Sequence, residues 1–180
     1  AQNAQNGVGL LQTADGALSQ VTNLLDRAVT LATEASNGGL TAAQSTAADT
    51  EFQSILTEIG NIGSTTNYNS TNVFSATATN FVVSDGTTAG TTTIAATVGV
   101  LTSASVGTGA EDLSADVLTS TTAATTALSD VTTAISDVSA QRGSIGADIN
   151  QLNAAANVAS SEEVNLSSAQ SAILSTNYGQ

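Results

Sequence analysis

Near the start of the chain Leu11, Leu18, Leu25 and Ala32 recur every seven residues, and Ala14, Val21, Ala28 and Ala35 form a second series between them. The alternating steps of three and four put both series on one side of a helix, the pattern of helix-on-helix packing. A helix is predicted from near Gln2 to Ser36, with Asn37-Gly38-Gly39 as its C-terminal stop. A second helix is predicted from about Thr41 to Ile62, with a seam of Ala48, Phe52, Ile55, Ile59 and Ile62, and with Gly63 and the polar run "STTNYNSTN" ending it.

The pattern then changes. Asn80 to Val100 is rich in β-branched residues and glycine, and Phe81–Ser84 with Thr92–Val98 reads as a hairpin around "DGTTAG". Ser103–Ala115 reads as irregular, with a turn of helix near Glu111. The strongest periodicity comes last. Val131, Val138, Ile145, Leu152, Ala159, Leu166 and Ile173 hold one heptad position, with Leu128, Ile135, Arg142, Ile149, Ala156, Glu163 and Gln170 at its companion. One helix from about Thr121 to Asn177 would be roughly 85 Å long, interrupted only by Gly143 and Gly146. Such a helix does not bury itself. The expected fold is therefore mainly α, an elongated antiparallel bundle of long helices with a small β-hairpin region. Residues 1–74 would supply two helices, 75–119 the hairpin and a short variable region, and 120–180 the long helix of the same domain.

Composition narrows the function. The chain of 180 residues carries a formal charge of −13 from 15 acidic and 2 basic residues, with no histidine, cysteine or proline. Both basic residues are arginines, Arg27 and Arg142. Nothing is available to neutralise phosphates, so neither nucleic acid nor an anionic membrane surface is an expected partner. No run approaches the roughly 18 apolar residues of a membrane span, and no signal peptide is visible. The pattern opens at Ala1 and closes at Gln180 in mid-stride, which reads as an excised fragment or a processed product.

Without histidine, cysteine or lysine, the usual general bases and activated nucleophiles are missing. Glu162 and Glu163 are helix neighbours whose side chains diverge, and Asp130 and Asp137 read as solvated. Gly109–Asp116, "GAEDLSAD", is the densest acidic stretch but lacks the spacing of a calcium loop. The chain is expected to be no enzyme and to hold no cofactor or metal. The arginines are the remaining chemistry. Neither has an acid three or four residues away, so each must be solvated or must pair across helices or molecules. Leu24, Arg27, Leu31 and Glu34 make one ridge at steps of three, four and three, either an apolar interface with one fixed cation or a widened core stripe from which Arg27 snorkels. Arg142 lies on a seam and is expected against Glu51, Glu58 or another acid of the second helix.

These stretches also carry a family resemblance. "NAQNGVGLLQTADGAL", Asn3–Leu18, resembles the bacterial flagellin pattern N-A-N-D-G-I-S-x-x-Q-T-A-E-G-A-L, and "LLDRAVTLATEASNG", Leu24–Gly38, resembles the L-x-R-x-x-E-L-x-x-Q-A-x-N-G that follows it. "FQSILTEIGNIGSTTNYNSTNVF", Phe52–Phe74, is similar to the family's second helix. "SAQRGSIGADINQL" at Ser139–Leu152 and "NLSSAQSAILSTNYG" at Asn165–Gly179 resemble its C-terminal patterns, in the same order. Val29 and Thr30 stand where the family often has arginine and glutamate, and Gln151 where it has arginine.

The resemblance implies a structural, self-assembling subunit of the flagellar filament, secreted and extracellular, here as a truncated rod domain that lacks both terminal filament-core helices and would not polymerise by itself. Its implied partners are other flagellin subunits, an export chaperone, a cap protein and the flagellin-sensing Toll-like receptor of innate immunity. Carried over by position, Arg27, Leu31 and Glu58 would contact neighbouring subunits or that receptor, and with Leu24 and Glu34 they form the candidate interface. Because cations are scarce, docking is expected to depend on apolar fit and neutral hydrogen bonds, with weak salt dependence. A hook–filament junction protein and a cell-surface flagellin homologue acting as a polysaccharide-binding adhesin are the rival readings.

Overall fold

The computed structural model describes residues 2–83 and 93–179. Three helices, α1 (Gln2–Ser36), α2 (Ala42–Thr65) and α3 (Thr121–Tyr178), enclose two small hairpins and an irregular segment. The fold is mainly α, an elongated antiparallel arrangement of long helices with a small β region.

The 3–4 periodicity of α1 produces its buried stripe. Leu11, Ala14, Leu18, Val21, Leu25, Ala28 and Ala32 are all fully buried. Many of these side chains are alanine, so the helix axes can approach closely. The chain reverses at Gly38, which adopts a left-handed φ of 74°, the conformation that glycine takes without a steric penalty. Thr41 then opens α2 with a reciprocal cap: its hydroxyl accepts from the Gln44 amide at 3.2 Å, and its own amide donates to Gln44 Oε1 at 2.9 Å.

Helix α2 runs three residues past the predicted Ile62, because side chains satisfy its last carbonyls. The Thr66 amide and hydroxyl both donate to the Ile62 carbonyl, and Asn72 Nδ2 reaches the carbonyls of Gly63 and Ser64 at 3.0 and 3.1 Å. Asn72 belongs to a hairpin that the sequence reading missed, β1 (Asn67–Tyr68) against β2 (Thr71–Asn72). Its turn residues Asn69 and Ser70 have φ of 50° and 63°. Glycine is the usual signal for such a two-residue turn, and none is present here.

The predicted hairpin forms with β3 (Thr79–Val82) starting two residues earlier than expected and β4 (Thr93–Ala96) shorter than expected, paired Phe81 to Ile94. Ser84, the "DGTTAG" turn and Thr92 lie outside the described residues. Phe81, Ile94 and Ala96 point inward. At Gly7 a Cβ would lie within about 3 Å of both Phe81 and Leu152, so glycine lets the hairpin and α3 close over α1 together.

Residues 97–118 are irregular, a span wider than the predicted Ser103–Ala115 because β4 ends at Ala96, and the turn of helix expected near Glu111 is absent. An isolated bridge pairs Val106 with Glu111 instead, closed by Gly107 at φ 73° and Ala110 at φ 54°. The segment is held by its own apolar residues: Leu101, Val106, Leu113 and Leu118 are buried. It also leans on Gly63, where a Cβ would collide with the Leu101 carbonyl.

Ser120 caps α3, and the helix passes through Gly143 and Gly146 without a break. It runs antiparallel to α1, with Thr121 beside Gly38 at one end and Leu152 beside Gly7 at the other. This pair makes the most extensive contact in the molecule, while α2 packs on α1. The α3 seam is buried from Ala124 to Ala156. Beyond Ala156 the helix extends past α1, and no residue of 157–178 is buried.

Candidate functional site

Arg27 lies on the outer side of α1, facing α2. Its Nε donates to Glu51 Oε1 at 2.7 Å and its Nη2 to Glu51 Oε2 at 3.0 Å, the two-pronged geometry that matches a guanidinium to a carboxylate. The hydrogen bonds raise the arginine further above its usual range and lower the Glu51 carboxyl below its own. Glu34, two turns along α1, adds to the field at Arg27. Both partners remain about half exposed, so the pair contributes little to folding.

The rest of the predicted ridge divides. Leu24 is half-buried and packs against the core, and Leu31 is buried at 3% exposure. The cause is a second neighbour: α1 touches α3 on one side and α2 on the other, which widens its apolar stripe to include both leucines. Glu34 and Glu58 are exposed. The outer face thus presents Arg27, Glu34, Glu51 and Glu58, with Leu31 beneath it.

Arg142 does not meet Glu51 or Glu58. It pairs with Asp15 of α1, Nε to Oδ1 at 2.9 Å and Nη2 to Oδ2 at 3.4 Å, because α1 is the helix lying alongside it. Sequence reasoning could not find either pairing. The partners stand 24 and 127 residues apart, far outside the helical spacings that sequence alone can test.

A third polar assembly went unforeseen. Gln53 Nε2 donates to the Asp116 carbonyl at 2.8 Å, and Asp49 Oδ1 accepts the Leu118 amide at 2.9 Å, so α2 clasps the segment that leads into α3. The Asp116 side chain is buried, and its Oδ2 has no hydrogen-bond partner. Burial pushes this carboxyl up to about 7, helped by Asp130, Glu111 and Asp112. Among the described residues no group of three or more acidic side chains is placed to hold a metal ion.

A shallow groove of about 380 Å³ lies between Val98–Val100, Ser105–Ala110 and α3, with Gln141 in its wall. The Gln141 side-chain amide donates to the Val98 carbonyl. No titratable side chain lines this groove. Among the described residues no helix is long and apolar enough to cross a membrane.

These features define a mainly helical rod that carries its two ion pairs on its outer surface. Comparison with known proteins narrows the class. The profile of the bacterial flagellin N-terminal helical region matches residues 1–79. Flagellin of Listeria innocua is 39% identical over 79 residues, 44% of this chain and 28% of that protein. Flagellin B of Helicobacter pylori is 31% identical over 106 residues, 59% of this chain and 20% of that protein. The crystal structure of Bacillus cereus flagellin superposes with a TM-score of 0.72 at 28% identity, covering 93% of this chain and 94% of that one. The N-terminal region of the chain is thus similar to bacterial flagellins, and its overall fold is that of a solved flagellin. Its matches span between a fifth and about a quarter of the length of these two curated relatives.

Proposed function

We propose that this chain is a structural subunit of a bacterial flagellar filament, working outside the cell by packing against copies of itself. The observation that carries the reading is the near-complete mutual coverage with Bacillus cereus flagellin, across both terminal segments and the hairpin region between them. The geometry is consistent with that role. The α1–α3 pair makes a stiff rod, and the face bearing Arg27, Glu34, Glu51 and Glu58 lies outside the core, where a neighbouring subunit or an innate immune receptor could reach it. Leu24 would contribute its exposed flank. Leu31 would act from below by holding the helix surface in place. Export chaperone and cap protein complete the proposed set of partners.

The test is genetic. The full-length gene that contains this sequence, expressed in a motile bacterium deleted for its own flagellins, restores filaments and swimming. Export of the protein from cells that stay bald would overturn the reading. Junction-only staining on a filament made by another flagellin would replace it with the hook–filament junction reading, and surface retention with glycan binding would replace it with the adhesin.

A further inference from the structure

Asp116 sits where three elements meet. Its carbonyl accepts from Gln53 of α2, its amide donates to the Leu113 carbonyl, and its side chain reaches Asp130 of α3. That side chain is 8% exposed, and its Oδ2 has no hydrogen-bond partner. A buried carboxylate in this state is costly unless a cation or a donor meets it. No basic side chain is free to do so, because Glu51 holds Arg27, Asp15 holds Arg142, and the chain has no others. The charged neighbours are all acidic. Asp130 stands within hydrogen-bonding reach, with Glu111 and Asp112 of the same segment nearby. Asp137 of α3 adds to the field at Glu111, and Asp49 of α2 accepts the Leu118 amide two residues further on. A proton held between Asp116 and Asp130 satisfies this geometry, making one carboxyl the donor and the other the acceptor.

We propose that one proton shared by the Asp116 and Asp130 carboxyl groups latches the Glu111–Leu118 stretch onto α3, and that its loss lets this stretch open while the α1–α3 rod stays folded. Without the proton two carboxylates face each other in a site that water reaches poorly, and their repulsion favours the open stretch. The rod is spared because the buried residues of α1 and α3 include no ionisable side chain. Asp116 is held at about 7 against an ordinary 3.8, so the closed stretch binds the proton more tightly than the open one, and opening grows as pH rises. The latch is shut in mild acid and loosened above neutrality.

Hydrogen exchange on the purified protein, corrected for the intrinsic pH dependence of amide exchange, tests the latch. Between about pH 5.5 and about pH 8.5 the opening constant of Glu111–Leu118 is expected to rise by about thirtyfold, while amides of 124–156 keep their protection. Asp116→Asn places a permanent donor against Asp130, and Asp130→Asn places one against Asp116. Each variant should stay shut at both pH values, with the protection of 124–156 reporting that it has folded. Equal corrected protection of the parent at the two pH values would overturn the proposal. So would parent-like opening in both variants, since another group would then be titrating. Loss of protection that spreads through 124–156 at high pH would replace the latch with global unfolding. Protection restored at high pH by millimolar calcium chloride would put a cation where the proposal puts a proton, and would overturn it as well.

Discussion

Helix α3 contains its own control experiment. From Thr121 to Ala156 it lies against α1, and Val131, Val138, Ile145 and Leu152 are at most 2% exposed. From Asn157 to Tyr178, roughly 33 Å at the rise of an α-helix, the same heptad continues, yet Leu166 and Ile173 are 67% and 65% exposed. The pattern is the same in both halves, and only the neighbour differs. Heptad periodicity therefore reports which side of a helix can be buried, and burial itself requires a second surface. A helix without one keeps its backbone hydrogen bonds but gains none of the roughly 25 cal/mol per Å² that apolar burial supplies.

Hydrogen exchange should show the contrast most strongly. Amides of 124–156 exchange only through opening events near the global unfolding free energy, while those of 157–178 exchange orders of magnitude faster, through local fraying. Equal protection in both halves would mean that the overhang is covered in solution. Core truncation gives the next largest difference. Leu152→Ala is expected to cost about 2–5 kcal/mol in denaturant unfolding, and Leu166→Ala no more than about 0.5 kcal/mol. Similar costs at the two sites would break the comparison.

The glycines sharpen it on a smaller scale. Gly63→Ala drives a methyl into the Leu101 carbonyl and is expected to lose about 1–3 kcal/mol of stability. Gly143→Ala meets nothing within 4 Å and is expected to gain about 0.5–1 kcal/mol by helix propensity. A stabilising Gly63→Ala would show that the irregular segment does not rest on α2.

The pH dependence follows from Asp116. Its carboxyl is held at about 7 in the fold against an ordinary 3.8, so the folded chain binds this proton more tightly than the unfolded chain does. The contribution is full below about 4, is lost progressively as pH rises towards about 7, and is gone above that. Thermal unfolding of Asp116→Asn should lose most of this slope. An unchanged slope would assign it to other carboxylates. The smallest effect belongs to the exposed pair: Glu51→Gln should leave the unfolding midpoint unchanged within error, as expected for a solvated ion pair.

Particular residues mark how far the sequence was legible. The seams of α1 and α2 and the Val131–Leu152 series of α3 were readable, because each is a local repeat set by helical geometry, whereas the companion series of α3 fell one position off: Ala127, Ala134 and Gln141 are buried and Leu128, Ile135 and Arg142 only partly. The capping box at Thr41 and Gln44 and the left-handed Gly38 fall where helix-end chemistry places them. The β1–β2 hairpin was not readable, because Asn69 and Ser70 adopt left-handed conformations without glycine. The bridge between Val106 and Glu111 displaced the expected helical turn because buried Leu101, Val106 and Leu113 organise that segment from within. Of the candidate interface, Arg27, Glu34 and Glu58 proved exposed, whereas Leu31 entered the core when α2 came to lie beside it.

From its order of residues alone this chain determined that it would form long helices, which side of each could be buried, and that no cation would be left in surplus, since these follow from local periodicity and from counting. The tertiary structure decided which helix each side meets, that Arg27 binds Glu51 and Arg142 binds Asp15, and that the apolar seam of α3 is covered for little more than half its length. Those outcomes depend on distances between residues remote in sequence, and local propensity carries no information about them.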